Sequence, residues 1–122
     1  MEYRKLPHGG ESISVLGFGT SSIGMAGEKE TDAAIALALE NGINYFDLAS
    51  ADAVPFPALG RQLGSRRREV YFQIHFGADY RSGKYGWTTD LDAIKRSVDW
   101  QLNALKTDYI DFGFLHCLDE AA

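Results

Sequence analysis

The chain has 122 residues, of which 45% are hydrophobic and 24% charged, with a formal net charge of −5. Those figures describe one soluble globular domain with a single core, and the acidic balance argues against a nucleic-acid partner, which selects a basic face. One cysteine excludes a disulfide framework, and no apolar run suits a membrane span or secretion signal, which makes a reducing cytoplasm the expected compartment.

In chain order, Tyr3–Leu6 and Ser12–Val15 alternate about the turn formers Pro7, Gly9 and Gly10, which predicts a hairpin over residues 1–14. His8 belongs to that turn surface. Val15–Gly19 reads as a buried strand whose glycines suggest close backbone approach. Thr31 is the expected cap of a helix through Ala33–Leu39, stopped by Asn41-Gly42. A second strand follows at Ile43–Leu48 and a short helix at Pro57–Leu63, ending near Gly64. Arg66, Arg67 and Arg68 read as a solvated loop.

Val70–Ile74 is the third strand. The loop His75–Thr88 is long for a strand-to-helix connection, and long loops are often functional. Thr89 is the expected cap of the clearest helix, with Asp92 three residues on. Leu91, Ile94, Val98, Leu102 and Leu105 form one continuous apolar stripe along it. Asp108–Leu115 is the fourth strand.

The order is therefore a hairpin followed by βαβαβαβ over residues 15–116, one domain spanning 1–122. Strands alternating with helices at this spacing predict an α/β fold with a parallel sheet and right-handed crossovers. A full (β/α)8 TIM barrel takes about 250 residues, so four strands in half that length read as half of one. An open sheet of this kind exposes the edges of its first and fourth strands and the face that a second half would cover. Self-association through those edges, or closure by a missing carboxyl-terminal half, is the expected consequence.

In parallel βα folds ligands sit at the carboxyl ends of the strands. Those ends carry Gly19-Thr20-Ser21, then Asp47 with Ser50 and Asp52, then His75, then His116 with Asp119. Asp47 and His116 each follow an apolar strand directly, which is hard to explain as surface decoration. With His75 and Asp52 they form a candidate acid–base constellation. His75, His116, Asp47 and Cys117 carry metal-ligand chemistry but no tight ligand spacing, so no metal is expected. Gly17-x-Gly19 is a weak nucleotide signal, since position 22 is Ser where a third glycine would stand.

At these residues the chain resembles the aldo-keto reductase family. The resemblance lies in Leu16-Gly17-Phe18-Gly19-Thr20, in Gly42-Ile43-Asn44-Tyr45-Phe46-Asp47, and in the run from Ile94-Lys95-Arg96-Ser97 through Thr107-Asp108-Tyr109-Ile110-Asp111 to Leu115-His116. It covers nearly the whole chain but only the amino-terminal half of the family's barrel, whose bottom is plugged by a similar hairpin. Family members reduce small carbonyl compounds with NADPH or NADH through an Asp, Tyr, Lys and His tetrad. The Tyr gives the proton, Lys and Asp tune it, and the His orients the carbonyl.

Asp47 and His116 match the family Asp and His. The family Tyr position, five residues after the Asp, is Asp52 here, and the Lys position at the end of the third strand is His75. Tyr80, Lys84 and Tyr85 in the long loop are the candidate substitutes. Gly19, Thr20 and Asp47 match the family's nicotinamide contacts, while its grip on the adenine and pyrophosphate comes from later elements. The implied function is a reductase-derived half-barrel, truncated or catalytically deficient. The alternatives are a self-associating scaffold and a nucleotide-independent Asp/His lyase or isomerase.

Overall fold

A computed structural model of the chain describes residues 1–115. Strands β1 (Tyr3–Lys5) and β2 (Ser12–Ser14) form the expected antiparallel hairpin. Asn44 stitches it to the body: its Oδ1 accepts from the Ser14 amide at 2.8 Å, and its Nδ2 donates to the Ser12 carbonyl at 2.9 Å. The hairpin therefore sits under the amino end of the second sheet strand.

The first sheet strand is shorter than the sequence suggests. Only Phe18–Gly19 pairs as β3, while Val15 and Leu16 are exposed. Helix α1 (Glu28–Glu40) follows, and its cap is Gly27 rather than Thr31. Thr31 lies inside the first turn, buried, with its hydroxyl donating to the Gly27 carbonyl at 2.7 Å and the Ile23 carbonyl within reach at 3.0 Å. A threonine that back-bonds into its own helix carries the same sequence signature as a cap.

Strand β4 (Tyr45–Asp47) leads to α2 (Pro55–Leu63), which starts two residues before the expected Pro57. Pro55 at the first helical position needs no amide partner and has its φ preset for the helix. The expected loop of three arginines is a 3-10 turn over Gly64–Glu69, and Arg67 in it is far from solvated. Its guanidinium donates to the Asp111 carboxylate, the Thr107 hydroxyl and the Tyr109 carbonyl, each at 2.9 Å, and to the Val70 carbonyl at 3.0 Å. It also stacks on the Phe72 and Tyr109 rings at 4.3 and 3.9 Å.

Strand β5 (Tyr71–Phe76) runs two residues beyond Ile74, which brings His75 inside the strand. The long loop contains a ribbon of β6 (Ala78–Asp79) and β7 (Gly86–Trp87), paired antiparallel. Helix α3 (Leu91–Leu105) is capped by Asp90, not Thr89, through a 2.8 Å bond from the Ala93 amide to Asp90 Oδ2. Strand β8 (Phe112–Leu115) closes the described chain.

The sheet order is β3-β4-β5-β8, all parallel. Four parallel strands with three crossover helices make the expected α/β half-barrel. Side chains alternate across each strand, and this divides the sheet in two. Phe46, Phe72 and Ile74 face the helices and join Ile35 and Leu39 of α1, Phe56, Leu59 and Leu63 of α2 and Leu105 of α3 in the core. Tyr45, Asp47, Gln73 and His75 face the other way. Helices α2 and α3 cross closely because position 60 is Gly, where a Cβ would stand 2.7 Å from the Ala104 carbonyl oxygen.

Of its apolar stripe, helix α3 fully buries only Leu105; Ile94, Val98 and Leu102 are half-buried and Leu91 is exposed. Its inward face is Ser97, Gln101 and Leu105, with the Ser97 hydroxyl donating to the Ala78 carbonyl at 2.7 Å. Leu91 is exposed, and with Ile94, Val98, Phe76 and Leu115 it lines an open groove between α3 and β8. Among the described residues the outer edges of β3 and β8 have no strand neighbour, and no helix is long and apolar enough to cross a membrane.

Candidate active site

The inner face of the sheet sets the site by register. Gly19 lies opposite Asp47, Asp47 opposite Gln73, and His75 opposite Phe114. Three neighbouring strands therefore present their last inward residues on one rim. Thr20 fixes the first of these junctions. Its amide and its hydroxyl both donate to the Asp47 carbonyl, at 3.2 and 2.9 Å, so the turn after β3 is locked onto the end of β4.

Asp47 and His75 form an ion pair when the imidazole is protonated. His75 Nε2 lies 2.9 Å from Asp47 Oδ1, with the imidazole 13% and the carboxylate 38% exposed. The carboxylate can thus reach a ligand while one oxygen holds the ring. Gln73 Nε2 stands 3.1 Å from the same ring nitrogen, and the Tyr45 hydroxyl donates to Gln73 Oε1. Burial and then the nearby Asp47 carboxylate hold the Tyr45 hydroxyl above the ordinary tyrosine pKa. A polar chain from Tyr45 through Gln73 and His75 to Asp47 runs across the inner face.

Neither Gln73 nor Tyr45 was expected at the site. The signal was present, since Tyr45 stands two before Asp47 and Gln73 two before His75, which in a strand places each pair on one face.

Asp52 takes a different position. Its Oδ1 accepts from the Val54 amide at 3.0 Å in the turn leading to α2. The carboxylate packs against Gly24, where a Cβ would come 2.1 Å from Oδ1. Among the described residues Asp52 shares no hydrogen bond with Asp47 or His75. His116 and Cys117 lie outside the described residues. Among those described, no group of three or more His, Cys, Asp or Glu side chains is arranged to hold a metal.

The candidate substitutes from the long loop divide three ways. Tyr80 is fully buried, with its hydroxyl accepting from the Ser50 amide at 2.9 Å. Burial pushes its pKa up to about 12; the Ser50 bond opposes this, and Tyr85, Asp47 and Asp52 add to it. That shift makes the hydroxyl a poorer acid, opposite to what proton donation requires. Lys84 is exposed and bridges Asp52 only through its backbone. Tyr85 stands at the mouth of a cleft beside Tyr80.

Comparison with known proteins agrees with this architecture. The sequence model described as "Aldo/keto reductase family" matches residues 15–122. The chain is 33% identical to the uncharacterized oxidoreductase YqkF of Bacillus subtilis over 123 residues, covering 95% of this chain and 39% of that protein. It is 29% identical to the L-galactose dehydrogenase of Arabidopsis thaliana over 127 residues, covering 98% of this chain and 38% of that one. It thus spans about two fifths of the length of the curated relatives it matches. Among solved structures, the holo form of the aldo-keto reductase AKR11C1 from Bacillus halodurans superposes with a TM-score of 0.78 at 31% identity, over 95% of this chain and 40% of that one. An aldo-keto reductase from Klebsiella pneumoniae in complex with NADPH shares the fold, with a TM-score of 0.69 at 19% identity, over 99% of this chain and 42% of that one.

Proposed function

The chain belongs to the aldo/keto reductase family, and from that premise we propose that it forms the amino-terminal half of a nicotinamide-dependent carbonyl site that lacks the reductase's proton donor. The observation that carries this is the Asp47–His75 pair, set on the rim beside Gly19 and Thr20, with Asp52 at the Tyr position spent on the turn into α2.

The described residues fit the nicotinamide end of such a cofactor. Among the described residues, Phe18 and Thr20 aside, no atom lies within 4 Å of the point where a Cβ on Gly19 would stand, so a flat group can approach that strand end. The Asp47 carboxylate, held by His75 on one oxygen, is placed to accept from a ribose hydroxyl. Bound there, a nicotinamide supplies a hydride. The phosphates are less well served: Arg61 is taken by Asp32, Arg67 by Asp111 and Arg81 by Asp79.

The proton is the deficit. His75 in place of Lys keeps a partner for Asp47, with Nε2 2.9 Å from Oδ1. Tyr45 and Tyr80 both have raised pKa values, and Tyr80 is closed from solvent.

The test is an NADPH titration followed by backbone amide NMR, with NADPH oxidation measured beside it using a generic aldehyde. Local shifts at Gly19, Thr20 and Asp47 without turnover are the expected result. Turnover lost in Asp47→Ala would overturn the deficiency, and amides unmoved at millimolar NADPH would remove the cofactor reading. A second reading, self-association, draws on the edges of β3 and β8, which have no strand neighbour among the described residues, and on the partly exposed aromatic face of Tyr45, Tyr71, Phe112 and Phe114. Light scattering showing a 13.5 kDa monomer at high concentration would end it.

A further inference from the structure

At the amino ends of the strands, the end of the sheet opposite the Asp47–His75 rim, two connections wall a cavity of about 590 Å³. That volume lies within the common size range of small-molecule sites. One wall is the 3-10 turn between α2 and β5, with Ser65 and Arg68. The other is the end of α3 and the bend into β8, with Asn103, Lys106 and Asp108. The carbonyl reading uses none of these residues.

Arg67 ties the two walls together. From the first wall its guanidinium donates to the Thr107 hydroxyl, the Tyr109 carbonyl and the Asp111 carboxylate on the second connection. The cavity is therefore preformed, and little ordering opposes a ligand. The charges around it are uneven. Arg66 is taken by Glu69 and Arg67 by Asp111. Arg68 and Lys106 are exposed, and among the described residues neither has an ion pair or a side-chain hydrogen bond. Against these two cations the lining sets the Asp108 carboxylate, which leaves one positive charge in excess in a chain of net charge −5. The end of a helix carries partial negative charge. Here the Leu102 and Asn103 carbonyls of α3 are taken by the Thr107 and Lys106 amides, at 3.1 and 3.2 Å.

We propose that this cavity binds a phosphate group, with Arg68 and Lys106 as its counter-charges. Exposed cations on two connections can close on one dianion, and the Ser65 hydroxyl and Asn103 amide supply neutral donors beside them. The cavity is larger than a phosphate ion fills. Leu102 is half-buried, and the Tyr109 ring is 38% exposed with Arg67 stacked on it at 3.9 Å. Both leave apolar surface in the lining, against which the organic part of a phosphate ester can lie. The proposal stands apart from the carbonyl reading, since it needs neither the nicotinamide nor the rim.

The experiment titrates the full chain with inorganic phosphate, without NADPH, and follows the backbone amides of Ser65, Arg68, Lys106 and Asp108 by NMR. Saturable shifts at these amides are expected. Binding should be about two- to fivefold weaker in Arg68→Gln and in Lys106→Gln, the range of a solvent-exposed ion pair. Asp108→Asn, which removes the opposing carboxylate, should tighten it about twofold, and Lys95→Gln, at the groove beside β8, should leave it unchanged. Phenyl phosphate is the second arm. Tighter binding than inorganic phosphate, with shifts reaching Leu102 and Tyr109, assigns the cavity to a phosphate ester, and equal binding assigns it to free phosphate. The same shifts from sodium chloride at equal ionic strength would overturn the proposal, because the two cations would then only offset the helix ends. Affinity unchanged in the Arg68→Gln, Lys106→Gln double variant would do so too, as would shifts at Gly19, Thr20 and Asp47 instead. Because no cofactor is present, either result leaves the NADPH titration to be judged separately.

Discussion

Replacing Arg67 with Met tests whether one side chain holds the fourth sheet strand in place. The guanidinium makes four hydrogen bonds, to Val70, Thr107, Tyr109 and Asp111, and stacks between two aromatic rings. Methionine keeps much of the stacking volume and removes every donor. What remains is the Asp111 carboxylate, 16% exposed, with the Phe72 amide as its other partner at 2.8 Å. Removing one member of a buried pair costs about 3–5 kcal/mol, and solvent access at 12% and 16% exposure places this case at the low end, about 3 kcal/mol. A chain of 122 residues holds roughly 6–15 kcal/mol in total. The loss is therefore a large fraction of the whole.

The assay is urea unfolding followed by Trp87 and Trp100 fluorescence. With a slope of about 1–3 kcal/mol/M, the midpoint should fall by about 1–3 M. Arg68→Met is the control, since Arg68 makes none of these bonds and should stay within about 0.5 kcal/mol of the parent. In a cycle with Asp111→Asn the two changes should couple, because the carboxylate left behind is the main cost. An Arg67→Met midpoint within 0.2 M of the parent, on the order of the error in such a fit, would refute the reasoning. So would an equal loss from Arg68→Met.

Two further outcomes follow from the site. Tyr80 keeps its proton in the folded chain up to about 12, two units above the ordinary value of 10.0. Between those pH values the unfolded chain has released a proton that the native chain retains, so stability present below pH 10 should decline toward pH 12. The loss is bounded at roughly 2–3 kcal/mol, and Tyr80→Phe should flatten that limb of the stability profile. Asp52→Asn keeps an oxygen for the Val54 amide and should leave stability within about 0.5 kcal/mol, whereas Asp52→Ala removes the acceptor and should cost about 1 kcal/mol. An effect of Asn as large as that of Ala would show that the charge at Asp52, rather than its hydrogen bond, matters.

The alternation of strands and helices, the turn formers between them and the apolar strand cores were legible in the chain alone. They depend on local periodicity, and each element of the half-barrel follows from them. The placement of Asp47 and His75 on one rim was legible for the same reason: a polar residue near the carboxyl end of an apolar strand in a parallel sheet has one place to go. What the tertiary structure decided was pairing. Sheet register brought Asp47 against His75 and put Gln73 and Tyr45 behind them, and no local pattern encodes which strand lies beside which. Gly24 admits the Asp52 carboxylate to the turn before α2, a contact across 28 residues that sequence spacing does not reveal. Arg67 reads as one of three solvated charges until Asp111, 44 residues on, arrives to pair with it. Composition and period determine which elements form. Long-range contacts alone determine which side chains those elements bring within 3 Å of one another.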